Sequence, residues 1–71
     1  MLGERIRQLR IGRGVSQVEL ADVLGVTKQS VSNWENNNIQ PSIDMLLKLA
    51  GYFSVSTDSL VGLDDRTYLE V

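Results

Sequence analysis

The chain has 71 residues, 42% of them hydrophobic, and a formal net charge of −2. That allows one small globular core and is too apolar for a disordered segment. With no cysteine and no histidine, it lacks disulfides, thiolate zinc sites, the commonest metal ligand and the commonest general base, and no nucleophile–base set remains for an enzyme.

In chain order, the pattern predicts five short helices. Leu2, Ile6 and Leu9 fall at i, i+4 and i+7, one apolar stripe of a helix over 2–13, which Gly12 and Gly14 end. Ser16 with Glu19 three residues on is a capping box that starts a second helix over 17–24. Leu20, Ala21 and Leu24 form its inner face, and Gly25 tolerates the left-handed conformation that stops it. Thr27 caps a third helix over 28–36, with Val31 and Trp34 inward. Asn36, Asn37 and Asn38 make a polar turn, since asparagine accepts positive φ better than most residues. After Pro41, Ser42 caps a fourth helix over 43–53, with Met45, Leu46, Leu49, Ala50 and Phe53 on one side. Ser56 caps a fifth over 57–61, anchored by Leu60. Residues 64–71 follow the last helical pattern as a short strand, an arm or a frayed tail.

Residues 17–36 carry the functional signal. Two capped amphipathic segments meet at Gly25, with the small Ala21 one turn before it. That is the layout of two helices crossed over a tight turn. On a wheel of about 100° per residue, Lys28, Gln29, Ser32, Asn33 and Asn36 share an arc of roughly 140° opposite Val31 and Trp34. All five form hydrogen bonds and none is acidic. Asparagine and serine are poor helix formers, so this composition points to a use beyond solvation. Glutamine and asparagine amides suit the N6 and N7 edge of adenine, and lysine suits guanine acceptors or phosphate. Gln17 and Thr27 stand at helix starts, where amides and the positive dipole end favour a phosphate oxygen. The residues thus point to double-stranded DNA. Trp34 has the ring of a base-stacking platform, but its spacing from Val31 assigns it to the core.

The acidic balance runs against nucleic acid, yet it is unevenly placed. Residues 1–38 hold five cations and four acids, whereas residues 39–71 hold two cations and five acids. Arg10 borders the stripe of the first helix and Glu35 the inner face of the third, so the pair is expected to form a partly buried ion pair. No apolar run reaches membrane-span length and no secretory pattern opens the chain, which makes the cytoplasm the expected compartment.

Together these residues resemble the lambda-repressor-like, Cro-type (XRE) helix-turn-helix family. The resemblance covers about residues 2–63. It rests on Ile6-Arg7-Gln8-Leu9-Arg10, Ser16-Gln17-x-x-Leu20-Ala21, Leu24-Gly25-Val26-Thr27, Val31-Ser32-x-Trp34-Glu35, Pro41-Ser42, Leu46-x-x-Leu49-Ala50 and Leu60. It implies an all-α, five-helix DNA-binding domain (residues 1–63) that docks its third helix in the major groove, followed by a tail or dimerisation arm (residues 64–71). By the same resemblance, Gln17 matches a phosphate contact, Lys28, Gln29, Ser32 and Asn33 match base-reading or base-proximal positions, and Asn36 matches a phosphate or groove-edge contact. Arg10 and Glu35 match an inter-helix ion pair. Asn37 departs from the glycine or basic residue common there, and the loop 37–40 is less basic than usual.

The expected function is that of a transcriptional repressor reading a palindromic operator as a homodimer, without a cofactor or small-molecule ligand. Val61, Leu63, Tyr68, Leu69 and Val71 leave an apolar C-terminal segment, so helix 5 and the tail are the expected dimer contact. The competing reading is a protein-interaction module, such as an antitoxin or an adaptor domain, favoured by the acidic second half.

Overall fold

Where the described helix termini are capped, a side-chain oxygen or a left-handed residue satisfies backbone groups that they leave open. A computed structural model describes residues 2–61, which hold five α-helices and no strand. They are α1 (Leu2–Arg13), α2 (Gln17–Leu24), α3 (Lys28–Glu35), α4 (Ile43–Phe53) and α5 (Thr57–Val61). The expected tail, residues 64–71, lies outside the described residues.

The capping box of α2 is complete: the Glu19 amide donates to Ser16 Oγ at 3.0 Å, and the Ser16 amide donates to Glu19 Oε1 at 2.7 Å. Thr27, Ser42 and Ser56 accept in the same way from Ser30, Met45 and Ser59. Gly25 ends α2 at φ 75°, a conformation in which any Cβ is strained. Gly12 continues α1, and Gly14 is the residue that turns to positive φ after it. Helix α3 stops one residue earlier than the sequence pattern suggests, with Asn36 as its C-cap.

The helices close around Ile6, Leu20, Leu24, Val31, Trp34, Leu49, Phe53 and Leu60, with Ala21 and Ala50 where helices approach closely. Helix α3 packs on α1 and α2, α1 also meets α5, and α4 packs on α2 and α5. Trp34 is 6% exposed, which fixes it as core. Leu60 is fully buried, so α5 uses its large apolar residue within the chain. No described helix is long and apolar enough to cross a membrane.

The α1–α3 contact depends on one small residue. The Gly3 amide donates to Asn37 Oδ1 at 3.0 Å, closing one open group at the start of α1. Asn37 holds φ 60°, the left-handed turn that brings its side chain there. A Cβ on Gly3 would meet the Trp34 carbonyl oxygen and lie 2.7 Å from that of Glu35. Replacing an ordinary helical glycine with alanine gains roughly 0.5–1 kcal/mol. Gly3→Ala is instead expected to destabilise the fold by about 1–3 kcal/mol, because α1 must shift off α3. Thermal melting checks the sign, and a gain in stability would show that the two helices do not meet this closely.

Candidate nucleic-acid interface

Glu35 is the only buried charged residue among those described, and its side chain is fully shielded from solvent. It sits at the last turn of α3, and its carboxylate gathers donors from two other helices. Arg10 Nε donates to Oε2 at 2.6 Å, and a terminal nitrogen of the same guanidinium donates to Oε1 at 3.2 Å. Arg7 Nε reaches Oε1 at 3.4 Å, and Gln17 Nε2 donates to it at 3.0 Å. The third nitrogen of Arg10 donates to the Val15 carbonyl at 3.0 Å, in the turn between α1 and α2. Burial pushes the Glu35 pKa up. The hydrogen bonds from Arg10 and Gln17, the charge of Arg10 and the contact with Arg7 outweigh it, and the carboxyl ends below its ordinary value. No buried side-chain nitrogen or oxygen among the described residues is left without a partner.

This cluster orients the outer face of α3. Lys28, Gln29 and Asn36 are exposed there, and Ser32 and Asn33 are half-exposed. Two hydrogen bonds run along that face: Gln29 Nε2 donates to Asn33 Oδ1 at 3.2 Å, and Asn36 Nδ2 donates to Ser32 Oγ at 3.4 Å. The amides are tied to one another one turn apart, which narrows their rotamers before any ligand arrives. Thr27 is exposed, and its hydroxyl is engaged with Ser30. The structure therefore brings Thr27, Lys28, Gln29, Ser32, Asn33 and Asn36 onto one surface. Gln17 is half-buried and turned toward Glu35, though an amide nitrogen carries two hydrogens and only one is engaged there.

Sequence reasoning missed Arg7 and Gln17 as partners of Glu35. The signal for Arg7 was present, since it stands three residues before Arg10 and shares its face of α1. Gln17 carries no such periodic mark. Arg5 and Arg13 turn to other tasks: Arg5 donates to Ser59, and Arg13 donates to the Tyr52 carbonyl at 2.6 Å with its guanidinium 4.6 Å from the Tyr52 ring centre.

The model of the helix-turn-helix family matches residues 6–60. This chain belongs to that family, in its Cro-type (XRE) branch. It is 39% identical over 61 residues to the prophage-derived helix-turn-helix regulator YonR of Bacillus subtilis, covering 86% of this chain and 56% of the relative. It is 39% identical over 64 residues to the transcriptional regulator ImmR of Bacillus subtilis, covering 90% and 50%. The chain thus spans about half the length of these curated relatives. Among solved structures, the P22 c2 repressor in complex with a synthetic operator superposes with a TM-score of 0.84 at 33% identity, covering 90% of this chain and 97% of that one. The family is one of regulators, not enzymes.

Two outcomes test the cluster in this family member. A double-mutant cycle of Arg10→Ala and Glu35→Ala, read by melting, is expected to be non-additive by well over the ~0.5 kcal/mol seen for independent sites. Glu35→Ala alone leaves a largely buried guanidinium unpaired, a loss on the order of 3 kcal/mol. The folded pKa of Glu35 lies below its unfolded one, so its stabilisation is complete above the ordinary carboxylate range and fades as pH falls through the lowered value. Glu35→Gln is expected to flatten this acid-side decline, and an unchanged pH profile of melting would remove Glu35 as its source.

Proposed function

We propose that this chain binds double-stranded DNA sequence-specifically, with α3 in the major groove, and acts as a transcriptional repressor in the cytoplasm. The carrying observation is the outer face of α3. Five hydrogen-bonding side chains without an acid stand together on a helix anchored through a buried carboxylate. The P22 c2 repressor, which shares this fold at 33% identity, is seen with an operator, and that supports the same use here.

In this reading, Gln29 and Asn33 form one reading unit. Their mutual hydrogen bond occupies one donor and one acceptor and leaves the Gln29 carbonyl and the Asn33 amide to face a base edge. Lys28 reaches a guanine acceptor or a phosphate, and Ser32 lies beside the bases. Thr27 and Asn36 touch phosphates at the groove edges, and Gln17 turns its second amide hydrogen to a phosphate while Glu35 holds the first.

One α3 reads only a few base pairs, too few to single out a site in a genome. Two copies on a palindromic operator, their half-sites about one helical turn apart, supply the rest. The sequence pattern leads one to expect that contact on α5 and the tail. In α5 the large apolar residue Leu60 is already buried, and Thr57 and Asp58 are exposed.

Selection from random duplexes is expected to yield a two-fold symmetric site. On it, Gln29→Ala and Asn33→Ala should each cost roughly 1–3 kcal/mol and relax specificity at the same or adjacent base positions. The double variant is expected to lose less than the two single losses combined, because they act as a unit. Gln17→Ala should instead weaken all sequences about equally. Selection of no duplex at all, or single variants that choose the wild-type operator at wild-type affinity, would sink this reading.

A further inference from the structure

The outer face of α4 carries large apolar side chains that the described fold leaves exposed. Ile43 is 75% exposed and Leu47, one turn on, 57%. Gly51, a further turn along, has open space where a Cβ would stand. Asp44 and Lys48 flank this strip, both exposed. Helix α4 turns its opposite side, through Leu49, Ala50 and Phe53, into the core. Helix α2 also exposes valines, Val18 and Val23, but beside the acids Glu19 and Asp22, a face that a second copy would meet with like charge.

We propose that the α4 face is the contact between two copies of this chain, packed antiparallel about a two-fold axis at Leu47. The strip is complementary to itself in shape. At about 1.5 Å rise per residue, an axis at Leu47 places Ile43 level with Gly51 of the partner subunit, so that only one of the two positions at that height carries a side chain. Leu47 meets its own symmetry mate. The strip is also complementary in charge: Asp44 falls within about 3 Å, along the helix axis, of the partner's Lys48, and the pair occurs twice. The inference rests on the two-copy reading above and replaces α5 and the tail as the place where the copies meet.

The test is self-association of the full chain by sedimentation, with melting of each variant as a control for folding. Asp44→Lys and Lys48→Asp each set like charges opposite one another twice per dimer and are expected to weaken association several-fold. The D44K/K48D double variant is expected to restore it. Leu47→Glu is expected to weaken association in both the wild-type and the restored background. A double variant no better than either single one, or a Leu47→Glu chain that associates like the wild type, overturns the proposal and moves the contact to the tail or α5. A wild-type chain that stays monomeric, alone and on a selected two-half-site duplex, overturns it as well. The DNA reading fails separately: association that follows the charge swap in a chain that selects no duplex removes DNA and leaves the α4 contact standing.

Discussion

The fold depends on one buried carboxylate. Glu35 ends α3, and its two oxygens receive donors from α1, through Arg7 and Arg10, and from the first residue of α2, through Gln17. Burying a carboxylate is unfavourable unless charge and hydrogen bonds compensate, and here they do so fully enough to lower its pKa. Replacing the whole ion pair, guanidinium and carboxylate together, by apolar residues of similar volume is often neutral for stability, whereas removing one partner alone is costly. What apolar residues would not do is fix direction. A bidentate guanidinium–carboxylate pair sets α3 in angle and in register against α1, and the further bond of Arg10 to the Val15 carbonyl ties the α1–α2 turn to the same point.

That fixity matters because of what α3 carries on its other side. Hydrogen bonds to base edges tolerate little displacement, and in the proposed DNA-bound state a helix free to roll would present its amides to different bases. The Gln29–Asn33 bond does locally what Glu35 does globally. Each removes freedom in the unbound chain that would otherwise be lost on binding. The approach of Gly3 to the backbone at the end of α3 acts in the same sense, holding the far end of α3 against the start of α1.

The helices were legible in the sequence because their signals are local. Ser16 with Glu19, Gly25, Thr27 and Ser42 mark boundaries by chemistry within a few residues of where it acts, and the apolar spacing of Ile6, Leu20, Val31 and Leu49 names the core. The composition of the α3 face was equally legible, since five non-acidic hydrogen-bonding residues on one arc need no tertiary knowledge. What was not legible is what depends on the approach of distant segments. Gly3 looks like a weak spot in a helix until α3 is laid against it. Gln17 looks like an outward-facing helix start, and only the packed structure turns its amide to Glu35. The choice between Gly12 and Gly14 as the end of α1 is also tertiary, since Val15 must return to the Arg10 side chain.

The same network bears on affinity. Of the four arginines of α1, Arg7 and Arg10 serve Glu35, Arg5 serves Ser59 and Arg13 serves Tyr52. The cations that made the first half of the chain look suited to nucleic acid are therefore largely employed in holding the fold together. Lys28 is the cation on the outer face of α3. A duplex contact built mainly from neutral amides and hydroxyls releases few counterions, so a single domain gains little from the sequence-independent attraction that most DNA-binding proteins rely on. In the proposed DNA-bound state, binding would rest on base-edge fit and on pairing two copies, since joining two half-site contacts multiplies their affinities without adding a charge. Under that proposal, rigid placement of α3 and a second copy would stand in for the basic surface that this acidic domain lacks.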